Sequence, residues 1–150
     1  MAISFDIVQG TLNELADISL LFSEYREFYG IRDCNSESKK FIKERLINKD
    51  SVIFLAYDNK VACGFILLYF TNSSLSISPN NFEWLIYYKK PQRLWCCNSI
   101  NGKVKSFADN SGDNGITLFT SVKNHKARAL YDKLNDKIGD QFVYYFLKTR

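Results

Sequence analysis

Little in this chain invites metal, membrane or nucleic-acid chemistry. Histidine occurs once, at His125, and the four cysteines, Cys34, Cys63, Cys96 and Cys97, fall into no zinc-ligand spacing, so no metal site is expected. Cys96 and Cys97 are adjacent, an awkward geometry for a bridge to each other. Two prolines exclude a long Pro-rich linker. No apolar run reaches membrane-spanning length, and the first residues lack the charged-then-apolar pattern of a secretion signal. A reduced, cytoplasmic protein without a membrane partner is the expectation. The net charge is only +4, and Lys39, Lys40, Lys43, Lys103 and Lys105 read as parts of solvated faces rather than a phosphate footprint, so no nucleic-acid partner is expected.

What the sequence does have is rings and regular patterning. Aromatic residues make up 15% of the 150 positions, enough to line a core or a cleft. The length fits a single domain over residues 1–150. Residues 3–8 alternate like a short strand. Thr11 and Glu14 have capping-box spacing, and Leu15, Ile18, Leu21, Phe22, Tyr25 and Phe28 follow as one helical stripe that Gly30 closes. Ser36 is a cap for a second helix with Phe41, Ile42, Leu46 and Ile47 inward. Residues 52–57 and 61–70 are strands joined by a tight turn at Asp58-Asn59-Lys60, and residues 82–88 read as another strand. A weak helical pattern covers 103–110, a strand covers 116–122, a helix runs from Asn124 to Leu134, and residues 141–147 make a last strand. The order is β-α-α-β-β-β-α-β-α-β, an α/β fold with a mixed sheet and helices on its faces.

That order, together with local sequence, resembles the GNAT superfamily of N-acetyltransferases. The stretch Leu21-Phe22-Ser23-Glu24-Tyr25-Arg26-Glu27-Phe28-Tyr29-Gly30 is similar to the first-helix signature of one bacterial subgroup. Residues 51–56 and 64–69 resemble its hairpin, and residues 141–146 its final strand. Thr120, Asn124, Ala127, Leu130 and Tyr131 follow the pattern T-x-x-x-N-x-x-A-x-x-L-Y of its late strand and helix. The resemblance implies a mostly antiparallel twisted sheet flanked by helices, acetyl-CoA as acetyl donor, and a small-molecule or peptide amine as acceptor. It leaves room for a homodimer.

By resemblance, Tyr131 would protonate the departing coenzyme A thiolate, which needs a proton donor as it forms. Packed inward on a helix, a tyrosine there would otherwise be a core ring. Asn124 would cap the helix and contact the cofactor region; an N-cap role alone is equally compatible. Asn135 and Asp136 stand where the family has glycine and an aromatic, and Asn tolerates the left-handed cap conformation. Backbone groups of Ile86, Tyr87 and Tyr88 would hold the thioester oxygen and pantetheine arm. Tyr25, Glu27 and Tyr29 would frame the acceptor. Glu83 is the nearest carboxylate on the central strand, where an exposed strand residue is the simpler reading.

One family motif is damaged. A loop of the form R-G-x-G-x-G or R-G-x-G-x-A wraps the coenzyme pyrophosphate with backbone N–H groups at a helix N-terminus, and glycine permits the close approach. The corresponding stretch is Arg93-Leu94-Trp95-Cys96-Cys97-Asn98, with the arginine kept and every small residue lost. The neighbouring reading frame restores it. Combining the last two bases of each codon with the first of the next forces glycine at Trp95-Cys96 and valine or alanine at Cys96-Cys97 and Cys97-Asn98. With allowed codons, residues 80–101 become T-I-L-N-G-L-F-I-I-K-N-H-R-G-Y-G-V-A-T-Q-L-M. A pair of compensating frameshifts near Ser78 and Asn101 accounts for this. The alternative is drift of a non-catalytic module with impaired coenzyme binding.

Overall fold

The computed structural model describes residues 5–32, 35–71, 81–88, 94–112, 115–140 and 143–149, with the backbone path alone for 81–86, 88 and 94–97. The chain divides into two compact units, Met1–Phe119 and Thr120–Arg150.

In the first unit, β1 (Asp6–Gln9) leads through a short 3-10 turn into α1 (Leu15–Phe28) and α2 (Asn35–Asn48). Then follow β2 (Ser51–Asp58), β3 (Val61–Thr71), β4 (Asn81–Tyr88), α3 (Leu94–Ser111) and β5 (Ile116–Leu118). The Thr11–Glu14 capping box forms: the Asn13 amide donates to Thr11 Oγ1 at 3.2 Å, and the Thr11 amide donates to Glu14 Oε2 at 2.8 Å. Helix α1 stops where Gly30 adopts φ +76°, and the amides of Gly30 and Ile31 donate back to the carbonyls of Glu27 and Arg26 at 2.9 and 3.0 Å. This is a Schellman closure, which needs a residue free to take positive φ.

The sheet runs β1-β2-β3-β4-β5, antiparallel through β4 and parallel between β4 and β5. Asn59 and Lys60, at φ 50° and 67°, form the two-residue turn between β2 and β3. Positive φ at both turn residues matches the right-handed twist of the strands it joins. Both faces of the central hairpin are covered, which is why its sequence is a nearly unbroken apolar run. Ile53, Leu55, Phe65 and Leu67 pack against Ile18, Leu21 and Phe22 of α1 and Ile42 of α2. Their neighbours Phe54, Ala56, Ile66 and Leu68 pack against Ile100, Val104 and Ala108 of α3. The two-residue period of a strand sorts these residues between two helical layers.

Four expectations change. Ser36 lies inside α2, which begins at Asn35, rather than capping it. Helix α3 begins at Leu94, well before the patterned segment 103–110, because Ile100 also serves its buried face. Residues 94–98 are therefore its opening turns. The parallel strand β5 ends at Leu118. The second unit contains α4 (His125–Lys133). Of the final strand expected at 141–147, residues 141 and 142 lie outside the described residues, and 143–147 form no strand. A strand exists through its ladder, and Val143 to Leu147 are exposed without one among the described residues.

Candidate active site

The two sides of β4 are unequal. Its pairing with β3 is continuous from Asn81, opposite Thr71, to Tyr88, opposite Gly64. Its pairing with β5 covers only Phe82, Glu83 and Trp84, opposite Ile116, Thr117 and Leu118. From Leu85 to Tyr88, backbone groups directed away from β3 have no ladder partner among the described strands. Such an edge offers an extended ligand the hydrogen bonds that a strand would otherwise take. Ile86, Tyr87 and Tyr88 lie on this stretch.

Beside that edge, on the α1 face of the sheet, stands a group of rings. Tyr25 meets Tyr29, Tyr87 and Phe65 edge to face, with ring centroids 5.0, 6.1 and 6.3 Å apart. The half-buried Tyr87 hydroxyl donates to Glu24 Oε2 at 3.4 Å. Burial, then the charge of Glu24, its hydrogen bond, and the charge of Glu27 raise the Tyr87 pKa. Burial, with smaller contributions from Tyr29 and Tyr69, pushes Tyr25 up to about 12. Both phenols therefore stay protonated near neutral pH and act as donors. Phe22 stacks on Phe41 at 5.2 Å and 5° behind this group, tying α1 to α2.

Of the residues read from sequence, Tyr25 and Tyr29 are in direct ring contact, and Tyr87 joins them from β4. Glu27 is exposed on the last turn of α1. Glu83 is on β4, between Tyr69 and Thr117 in register, away from the unequal end. Arg93 lies outside the described residues. Leu94, Trp95, Cys96 and Cys97 form the start of α3, and Asn98 is exposed one turn in. These residues therefore open a helix, and none of Leu94 to Asn98 is glycine. Asn124 caps α4, its Oδ1 accepting from the Ala127 amide at 3.2 Å. Tyr131 is half-buried on α4. Asn135 takes φ 63° and closes that helix, with the Asp136 amide donating to the Tyr131 carbonyl at 3.0 Å. Glu24 went unnoticed in the sequence. Its spacing of three from Glu27, on the same helical face, was the available signal.

No protein-family model matches the chain. A curated relative, the uncharacterized N-acetyltransferase YhfO of Bacillus subtilis (strain 168), is 34% identical over 148 residues, covering 96% of this chain and 97% of the relative. The chain belongs to the GNAT superfamily of N-acetyltransferases. A crystal structure of a probable acetyltransferase superposes with a TM-score of 0.87 at 32% identity, covering 97% of this chain and 98% of that one. A predicted acetyltransferase from Clostridium acetobutylicum, solved with acetyl-CoA, shares the fold at a TM-score of 0.75 and 13% identity, covering 95% of this chain and 96% of that one. The GNAT chain described here is accordingly an acyl-CoA-dependent N-acetyltransferase, with acetyl-CoA as the family's acetyl donor. No helix among the described residues is long and apolar enough to cross a membrane.

Proposed function

We propose that the protein transfers an acetyl group from acetyl-CoA to a primary amine by direct attack in a ternary complex, and that its coenzyme loop is impaired as the sequence stands. The observation that carries the first part is the unequal pairing of β4, open from Leu85 to Tyr88 beside the Tyr25–Tyr29–Tyr87 rings. Acetyl-CoA supplies the activated thioester. Backbone groups of Ile86, Tyr87 and Tyr88 hold its extended arm and the thioester oxygen, and the residues assigned to its pyrophosphate are Leu94 to Asn98 at the start of α3 and Arg93, which lies outside the described residues. Tyr25, Glu27 and Tyr29 position the amine. The amine gives up its surplus proton to a carboxylate or a water chain, its nitrogen bonds to the acetyl carbon, the C–S bond breaks, and the second proton that the nitrogen then sheds returns through water to the Tyr131 phenol. Tyr131 protonates the departing thiolate, with Asn124 fixing the start of its helix. Holding both reactants in one cleft supplies much of the rate.

A buried defect supports the second part. Asn101 is 8% exposed on α3, and among the described residues neither its Oδ1 nor its Nδ2 has a hydrogen-bond partner. It adjoins the face formed by Ile100, Val104 and Ala108, where an amide has no function and an apolar side chain belongs. The neighbouring reading frame places methionine there. The compensating-frameshift account therefore explains two separate irregularities, the missing glycines at 94–98 and the stranded amide at 101.

The test is an acetyl-CoA titration of two proteins, the chain as it stands and one carrying the frame-restored residues 80–101. Each lost pyrophosphate donor costs about 1–3 kcal/mol, so two or three losses move a micromolar site toward millimolar. Micromolar binding by the present chain would show that its helix start still receives pyrophosphate. Failure of the restored protein to bind would overturn the frameshift account.

A further inference from the structure

We infer that Glu24, held in place by the Tyr87 hydroxyl, is a specificity-determining anchor for a cationic group of the acceptor other than the amine that reacts. The inference rests on the transferase reading and names its substrate class: an amine that carries a second positive charge.

Glu24 comes from α1 and Tyr87 from β4, and their hydroxyl–carboxylate contact of 3.4 Å bridges the helix and the strand whose edge is open. The ring of Tyr25 meets those of Tyr29 and Tyr87 edge to face next to this carboxylate. A cation attracted to a carboxylate and simultaneously to ring faces gains from both, and a carboxylate accepts several donors at once. Tyr29 is 43% exposed, Glu27 is exposed, and Glu24 and Tyr87 are half-buried, so the group borders solvent. Glu27 lies one helical turn from Glu24, and both charges act on the Tyr87 phenol, so negative potential converges on that hydroxyl.

The requirement for a second charge follows from the chemistry. The attacking nitrogen must be neutral, so it gives up whatever ion pair it made on entry. An anchor that persists from binding through the transition state needs a cation that is never deprotonated. Such an interaction contributes equally to both states and shows as affinity rather than turnover.

The experiment uses 1,4-diaminobutane and n-butylamine, which share a carbon chain and differ by one charge. Binding of each to the full chain is measured by NMR titration, reading the Tyr87 and Glu24 resonances, in the native protein and in Glu24→Gln, Glu24→Asp and Tyr87→Phe. The expected result is preferential binding of the diamine. Glu24→Gln should weaken it by about tenfold or more, Glu24→Asp should recover part of the loss, and n-butylamine should change little. Tyr87→Phe, which keeps the carboxylate, should show a smaller loss. Equal binding of the two amines by the native protein, or equal losses for both in Glu24→Gln, overturns the inference. Acetylation is assayed in parallel on a protein carrying the neighbouring-frame residues at 89–101 alone, which keeps Tyr87, and the expected loss there is in KM with kcat nearly unchanged. Diamine binding that depends on Glu24 without any acetyl transfer would refute the transferase reading and leave the cation anchor standing.

Discussion

Replacing Asn101 by leucine should stabilise the protein. The residue is 8% exposed and both of its amide atoms lack hydrogen-bond partners among the described residues. Folding thus strips water from one donor group and one acceptor without replacement, at a cost of about 1–3 kcal/mol for a buried unsatisfied group. Leucine has nearly the same shape, removes both polar atoms and adds apolar surface against the layer that includes Ile100 and Val104. The combined gain is about 2–4 kcal/mol. For a chain of 150 residues this corresponds to roughly 5–12 °C in Tm. Methionine, the residue of the neighbouring frame, should stabilise similarly, whereas Asn101→Asp should destabilise because it buries a charge in the same place. Urea unfolding followed by circular dichroism measures all three, and the Leu variant should raise the midpoint without altering the slope. An unchanged or lowered midpoint in both apolar variants would refute the reasoning. It would mean that the amide is hydrogen-bonded in solution, and it would remove Asn101 as support for the frameshift.

Two further expectations concern chemistry on the frame-restored protein. Tyr131→Phe should lower kcat by about 10²–10⁴-fold while leaving coenzyme affinity nearly intact, the mark of a proton donor; unchanged turnover would return Tyr131 to the role of a packing ring. Glu27→Gln should raise KM for a cationic amine more than for a neutral one, by a few-fold only, since Glu27 is exposed and its charge is screened. Equal effects on both amines, read from initial rates, would exclude Glu27 from the acceptor site.

The sequence by itself determined most of the elements and their order, because those signals are local. The short apolar runs at 52–57 and 61–70, separated by the Asp58-Asn59-Lys60 turn, mark a buried hairpin, and Thr11 with Glu14 makes the same capping box in any helix that starts there. The left-handed closures at Gly30 and Asn135 were likewise legible from residue type. The absence of glycine from residues 94–98 is likewise a matter of composition. Tertiary structure decided the rest. Ile53 and Phe54 are equally apolar, and only the sheet's two covered faces assign one to the α1 and α2 side and the other to α3. The start of α3 at Leu94 was hidden because unusual residues there obscure the helical period. An apolar pattern at 143–147 could not guarantee a strand, because its hydrogen bonds depend on a neighbour that no local signal supplies. The meeting of Glu24 with Tyr87, 63 residues apart, and the isolation of the Asn101 amide are products of packing. A side chain's partners are set by what the fold brings against it, which is why the sequence named the family's chemistry and the structure found the residues around it.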